Sequence, residues 1–344
     1  MTSESTTVSV AELTDIVTRI LVRHGMSADN AGPVADAVVA CERDGALSHG
    51  LLRLPGYVST LQSGWVDGRA VPVVTDAAPG LIATDAANGF AQPALRASAA
   101  LLCEKARRQG IAAVAIRASH HLGALWPDIE PFAADGFVAL AMVSARPRVA
   151  VWDGTRKVFG TNPMAFGCPR PGRPPLVWDQ ASSVIAQGEV LLAAEHDAPL
   201  PEGVGMDAAG RLTRDPRAVL DGGSLLPFAG HKGAAIAFMV EVMAAALTGG
   251  AFGFEDRSAE YPGAQTPKTG QVITLIAPER LPDNRYFERI ESLFAALAES
   301  GVGRLPSDRR YARRARSVRG GIPLSPRNRL ILQELLGQDA PTER

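Results

Sequence analysis

Cysteine, clustered histidine, charge of one sign and long apolar runs are all scarce in this chain, and each scarcity removes a class of protein. Its 344 residues include three cysteines, Cys41, Cys103 and Cys168. Odd in number, widely separated and without a Cys-x-x-Cys pair, they do not read as a disulfide framework and fit reduced thiols. The six histidines contain one adjacent pair, His120-His121. Neighbours on an extended backbone point to opposite faces rather than chelating one metal, so no metal site is expected. Thirty-five basic residues against 36 acidic ones leave a net charge of −1, which gives no global field to recruit nucleic acid or an anionic membrane. The longest apolar stretch, 234–247, is interrupted by Glu241 and falls short of the roughly 20 residues of a membrane span. Residues 1–8 are polar, carry Glu4 and have no apolar centre, unlike a signal peptide, so a cytoplasmic protein is expected. Also missing is a Gly-x-Gly-x-x-Gly turn between a strand and a helix, which a Rossmann nucleotide site needs for close approach of the pyrophosphate.

The chain is 46% hydrophobic, enough to bury a sizeable core across two or three interlocked domains. Ser9-Val10-Ala11-Glu12 has capping-box spacing and opens an amphipathic helix with Leu13, Ile16, Val17, Ile20 and Leu21 on one face, ending near Gly25. A second helix over about 28–43 leads into a polar segment. Strands are expected over 81–85, 111–116, 137–143, 176–178 and 271–276. Helices are expected over 93–109, from near Trp126, over 233–247, over 284–299 and from Ser325 to Leu336. The Pro/Gly-rich pieces 169–175, 199–205 and 262–270 read as loops, with no internal repeat and no flexible linker.

The segment after the second helix, Asp44-Gly45-Ala46-Leu47-Ser48-His49-Gly50-Leu51-Leu52-Arg53-Leu54-Pro55-Gly56-Tyr57, gathers a hydroxyl, an imidazole, a guanidinium and a phenol around two glycines. Ser48 would orient the His49 imidazole, which gives or takes a proton near neutral pH. Arg53 offers a planar fork for a carboxylate. A polar helix end with a capping serine and a solvated histidine is the blander alternative. The basic run 309–316 likewise reads either as a solvated helix face or as a source of one or two arginines for a phosphate.

Several motifs in order carry a resemblance: Thr155-Arg156-Lys157-Val158-Phe159-Gly160-Thr161-Asn162-Pro163-Met164-Ala165-Phe166-Gly167, then Leu176-Val177-Trp178-Asp179-Gln180-Ala181-Ser182-Ser183, Gln187-Gly188-Glu189-Val190, Leu226-Pro227-Phe228-Ala229-Gly230-His231-Lys232-Gly233, and Arg304-Leu305-Pro306-Ser307-Asp308-Arg309-Arg310. Together they resemble the malate/lactate dehydrogenase-like family of nicotinamide oxidoreductases, over nearly the whole chain. Ser119-His120-His121-Leu122-Gly123-Ala124-Leu125-Trp126-Pro127-Asp128 is most similar to the branch that reduces Δ1-piperideine-2-carboxylate and Δ1-pyrroline-2-carboxylate. Relatives acting on 2-hydroxy acids such as malate, lactate or ureidoglycolate generally lack its Ala-Leu-Trp-Pro-Asp element, and remain the runner-up. A catalytically silent scaffold is a third reading, which intact Ser48, His49, Arg53 and Lys232 oppose.

The resemblance implies an α/β, non-Rossmann fold with a largely antiparallel nucleotide-binding sheet and a helical lobe built from the N- and C-terminal segments. It implies a helical, dimerisation lobe over 1–75 plus 320–344, a central domain over 76–125 plus 235–319, an NADPH-binding domain over 126–234, and a homodimer. It assigns Ser48, His49 and Glu189 to a proton relay, Glu189 standing where close relatives have aspartate, so that its carboxylate would support a protonated His49. Arg53 and Thr161 would bind a small cyclic imino acid, with Trp126 among the walls. His120, Ser144, Arg146, Asp179, Gln180, Ala181, His231, Lys232, Arg304, Arg309 and Arg310 would bind the cofactor. After the strand 137–143 the chain reads Ser144-Ala145-Arg146-Pro147-Arg148 with no acid to meet a ribose 2′-hydroxyl, which favours NADPH over a weaker NADH. Arg146 and Arg148 serving solubility alone is the alternative.

Overall fold

The computed structural model describes residues 7–282 and 285–337. The polar N-terminal residues 1–6, the first residue of the expected 284–299 helix and the end of the C-terminal segment, 338–344, lie outside them. Helix α1 (Val10–Arg23) starts at Ser9, whose side chain accepts a hydrogen bond from the Glu12 amide, and buries the five residues expected on its apolar face. Helix α2 (Ala28–Asp44) stops at Gly45, which takes the left-handed conformation with φ 77°. A side chain there would run into the guanidinium of Arg313. With α3 (Leu54–Gln62) and α11 (Pro326–Leu336), these helices enclose one apolar core that includes Leu21, Val38, Leu54 and Leu332. Strands β1 (Thr7–Val8) and β12 (Ile322–Pro323) pair and tie the two ends of the chain into that lobe.

The centre is a seven-stranded sheet. Its spatial order is β2 (Val73–Ala78), β3 (Leu81–Asp85), β4 (Ile111–His120), β11 (Lys268–Ile276), β5 (Val138–Val143), β6 (Met164–Cys168) and β7 (Leu176–Gln180). All neighbours are antiparallel except β3 with β4. This is the non-Rossmann, largely antiparallel arrangement that the motifs implied. Helices α4 (Ala91–Gln109) and α5 (Trp126–Ala134) cover the sheet, burying Leu102, Ile129, Phe137 and Ile273.

A third core, around Val149, Phe159, Val190, Val204 and Ala234, belongs to a smaller unit. It holds α6 (Gln187–Glu195), α7 (Pro216–Leu220), α8 (His231–Glu241) and a sheet of the two-residue strands β8 (Gly205–Met206), β9 (Leu212–Thr213) and β10 (Ser224–Leu225). The expected 126–234 segment does not map onto it: β5, β6 and β7 lie in the central sheet, because β5 pairs with β11 and β6 with β5, and α5 packs against that sheet. Helices α9 (Tyr286–Glu299) and α10 (Asp308–Gly320) complete the chain.

Two elements run past their expected bounds with consequences for the site. β4 continues to His120, and β11 begins at Lys268, inside the expected loop, across a bulge between Thr269 and Gln271. The helix expected over 233–247 is α8 followed by a π-helical turn, Val242–Ala246.

Candidate active site

Beyond Gly45 the chain makes two 3-10 turns, Leu47–His49 and Leu51–Arg53, before α3. Glu42 holds this bend: one carboxylate oxygen accepts from the Leu51 amide at 3.0 Å and the other from Asn328 Nδ2 at 2.7 Å. Gly50 packs against that carboxylate, where any side chain would overlap it. The bend fixes three groups. Ser48 Oγ lies 3.0 Å from His49 Nδ1, and Arg53 Nε donates to the Ser48 carbonyl at 2.9 Å. His49 and Arg53 then open into a cleft of about 480 Å³, walled by Gly123 to Leu125, Thr161, Asp179 to Ala181, the start of α6 and Phe228.

Thr161 sits on a tight turn. Gly160 packs under the Ala145 carbonyl, where a Cβ would collide, and Asn162 adopts φ 35°. Asn162 accepts from the Ala145 amide and donates to Glu241 Oε1 at 2.9 Å and to the Ala237 carbonyl. Ser182 closes the turn, its amide and hydroxyl both donating to the Thr161 carbonyl at 2.8 and 2.9 Å. Asp179 caps α5, accepting from the Leu125 and Trp126 amides at 2.9 and 3.2 Å, and burial raises its pKa. Gln180 and Ala181 continue along the same wall.

The electrostatics of His49 differ from expectation. Glu189 lines the cleft, and a Cβ on its neighbour Gly188 would touch both Ser48 and Arg53. Yet Glu189 Oε2 accepts from the Ala186 amide at 3.1 Å, capping α6, and does not raise the imidazole. Burial, then the charges of Arg53 and His121, push His49 down to about 4. A cation in a partly desolvated site with a second cation beside it is disfavoured, so the free enzyme carries a neutral His49 at pH 7.

Several expected cofactor ligands are otherwise engaged. His120 is fully buried within β4, near Asn88 Oδ1 and Thr266 Oγ1 and edge-on to Trp65, and burial pushes it down to about 3. It is not among the residues that line the cleft, where Gly123 to Leu125 form the wall instead. Ser144 is buried and donates to Glu241. Arg146 meets Asp256 at 3.0 Å and donates to Ser258, so the loop does have an acid beside it, supplied from a distant segment. Trp126 does not wall the cleft either: it faces a separate groove under Arg310, whose guanidinium lies 4.0 Å from the ring centroid.

Arg310 is a structural tie as well, bonded to Glu130 at 3.0 Å and to the Val177 carbonyl. Arg314 bridges Asp44 and Glu130, so the basic run is only partly a solvated face. Arg304 and Arg309 are exposed, make no ion pair among the described residues, and rim a hollow of about 370 Å³ beside β7. His231 and Lys232 are exposed at the start of α8, after Gly230 at φ 60°, on the turn that carries Phe228. Among the described residues no group of three or more His, Cys, Asp or Glu is placed to hold a metal.

The family model described as malate/L-lactate dehydrogenase matches residues 8–332. A Δ1-pyrroline-2-carboxylate/Δ1-piperideine-2-carboxylate reductase of Pseudomonas syringae pv. tomato is 51% identical over 96% of each chain. One of Pseudomonas putida is 48% identical over 97% of this chain and 99% of its own. The crystal structure of Δ1-piperideine-2-carboxylate reductase from P. syringae superposes with a TM-score of 0.94 at 51% identity, covering 96% of this chain and 99% of that one. A chain with this sheet, this cleft and these relatives is an oxidoreductase that belongs to the malate/L-lactate dehydrogenase family.

Proposed function

We propose that this enzyme reduces Δ1-piperideine-2-carboxylate and Δ1-pyrroline-2-carboxylate to L-pipecolate and L-proline, with NADPH preferred over NADH. The observation that carries the reading is one neutral imidazole and one guanidinium held on the same bend of a single cleft; the names of the similar proteins support it. Arg53 would receive the substrate carboxylate on its free nitrogens, since Nε is spent on Ser48. That carboxylate offsets one of the two charges depressing His49. Substrate binding therefore raises the proton affinity of the imidazole, the direction a proton donor needs, and the protonated form is the one that reacts, with Ser48 Oγ accepting from Nδ1–H. The proton passes from Nε2 to the ring nitrogen. Glu189 orients α6 against Ser48 and Arg53 and adds a distant negative charge.

The donor set fits a dinucleotide. Lys232, Arg304 and Arg309 are cations without partners among the described residues, and Gly123 to Leu125 with Asp179 to Ala181 line the cleft into which His49 opens. When bound, the nicotinamide cofactor supplies hydride to the imine carbon. The NADPH preference then rests on Arg304 and Arg309 rather than on Arg146.

A homodimer in the cytoplasm completes the proposal. The apolar face of α1 is buried in its own lobe. Exposed apolar side chains gather instead near α8, where Trp152 and Phe238 adjoin and Phe254 stacks on Phe252. No described helix is long and apolar enough to cross a membrane.

A neutral His49 also suits the accepting of a proton from a 2-hydroxy acid, the runner-up reading. Steady-state turnover of both cyclic imines against a panel of 2-oxo acids, with each cofactor, separates the two. Faster reduction of any 2-oxo acid than of either imine overturns the proposal.

A further inference from the structure

The segment that walls the cleft carries a second titratable pair that the chemistry above does not use. His121 Nε2 lies 2.9 Å from Asp128 Oδ2, and the two side chains are 5% and 4% exposed. The same carboxylate oxygen accepts from Gln271 Nε2 at 2.7 Å, which fixes it between α5 and β11. Around this pair, Tyr57 Oη, both amide atoms of Gln92 and Gln271 Oε1 are buried without a partner among the described residues. A buried polar atom left unpaired costs about 1–3 kcal/mol, and several gathered together mark a place where water or a moving proton meets them.

Three of these groups converge. A Cβ placed on Gly123 would stand 3.5 Å from Tyr57 Oη, 3.6 Å from Gln92 Nε2 and 3.7 Å from His121 Cε1. Gly123 itself is a wall of the catalytic cleft. Beyond the pair, Gln92 and Asp128 line a groove of about 530 Å³ between α2, α4 and α5 that shares no lining residue with the cleft. His121 and Asp128 therefore stand between His49, which senses the charge of His121, and a second opening to solvent.

We propose that His121 and Asp128 form a proton relay that recharges His49 from this groove while cofactor and substrate fill the cleft, an inference that rests on the imine-reductase reading. In each turnover His49 gives its Nε2 proton to the ring nitrogen and becomes neutral. The His121 imidazolium passes a proton to His49 by way of the polar groups behind Gly123. Asp128 takes a proton from the groove and returns it to His121. One proton enters for each that leaves, and no electrons move. The titratable groups bearing on His49 are Arg53 and His121, those bearing on Asp128 or its neighbours are Tyr57, Cys41 and Asp179, and Asp36, Arg43, Arg96, Glu130 and Arg314 line the groove beside Asp128. Burial pushes the Tyr57 phenol and the Cys41 thiol up, so both stay protonated and leave the relay to the histidines and Asp128.

The test uses the intact enzyme with saturating NADPH and Δ1-piperideine-2-carboxylate, comparing Asp128→Asn and Gln92→Leu with wild type. Asp128→Asn keeps the shape and removes the proton-holding charge. Its expected effect is a kcat about 10- to 100-fold lower, at or below the low end of the roughly 10²- to 10⁴-fold carried by a group that transfers the proton directly, with KM values within about twofold. Its solvent deuterium isotope effect should grow, its effect from NADPH deuterated at the transferred position should shrink, and added imidazole buffer should restore part of the rate. Gln92→Leu, which removes unpartnered amide atoms and leaves the pair intact, should show the same signature at smaller size. Should Asp128→Asn fail to fold, Gln92→Leu decides by the same readouts. Isotope effects and buffer response unchanged from wild type would overturn the relay, leaving the pair a packing feature. A wild-type enzyme inactive on cyclic imines but active on a 2-oxo acid overturns the imine reading instead, and the relay is then judged by the same signatures in that reaction.

Discussion

Replacing Arg53 by methionine keeps the aliphatic stem and removes the charge beside His49, so the proton affinity of the imidazole should rise. The fall of His49 from its ordinary 6.5 to about 4 corresponds to about 3 kcal/mol of disfavoured charging. Burial is the largest cause, Arg53 the second and His121 the third, so Arg53 supplies less than half. A share of about 1 kcal/mol moves a pKa by about 0.7 of a pH unit, placing His49 of the variant between 4 and 5. A non-reducible cyclic carboxylate such as picolinate, seated on Arg53 of the wild-type enzyme, should move it in the same direction. The assay is an NMR titration of the imidazole Cε1 resonance between pH 4.5 and 8, assigned by its loss in His49→Gln. The wild-type signal should remain that of a neutral ring until the acid end, and the Arg53→Met signal should begin to move earlier. A wild-type His49 that titrates at 6.5 or above, or one indifferent to both Arg53→Met and picolinate, would refute the electrostatic reasoning.

Other consequences concern stability and cofactor choice. His120 is held neutral at about 3 against an ordinary 6.5. The unfolded chain therefore takes up this proton first, and stability is lost as pH falls below 6.5. Between pH 7.5 and 5 the loss is about 2 kcal/mol, and His120→Asn should abolish that share of the pH dependence in urea unfolding. The raised carboxyls Glu42, Asp179 and Glu241 act in the opposite sense, so the comparison is between variant and wild type at both pH values; identical pH slopes would count against it. Arg304→Ala with Arg309→Ala should weaken NADPH by at least about tenfold relative to NADH, the loss of charged hydrogen bonds to one phosphate. Arg146→Ala should leave the ratio of the two affinities unchanged, because its partner is Asp256. Isothermal titration with each cofactor checks both, and the opposite pattern would return the phosphate to Arg146.

What the sequence made legible was mostly local. Ser48, His49 and Arg53 lie on one short bend, so their spacing already brought them together, and the capping serine of α1 and the left-handed glycine after α2 were likewise readable from near neighbours. Other features rest on partners that the local sequence does not announce. Arg146 and Asp256 are 110 positions apart, and nothing in 144–148 announces the acid. The strand expected over 111–116 continues to His120 although the apolar run fades at Arg117 and Ala118 has φ 49°. The bulge in β11 lets pairing resume at Ser119 and His120. Glu189 was read as a relay carboxylate, whereas Ala186-Gln187-Gly188-Glu189 has the spacing of a helix cap. Strands β2 and β6 escaped notice for different reasons: β2 is an exposed edge, and β6 carries Gly167, which lets Ala133 of α5 approach closely.

The most direct measurement is single-turnover oxidation of bound NADPH by Δ1-piperideine-2-carboxylate in wild-type and His49→Ala enzymes. The wild type should react in one rapid phase, and the variant about 10²- to 10⁴-fold more slowly, the usual range for loss of a general acid, with NADPH affinity nearly intact. A His49→Ala enzyme that keeps the wild-type rate across pH 6 to 8 would contradict the proton-donor role and reduce the bend from Ser48 to Tyr57 to a structural turn.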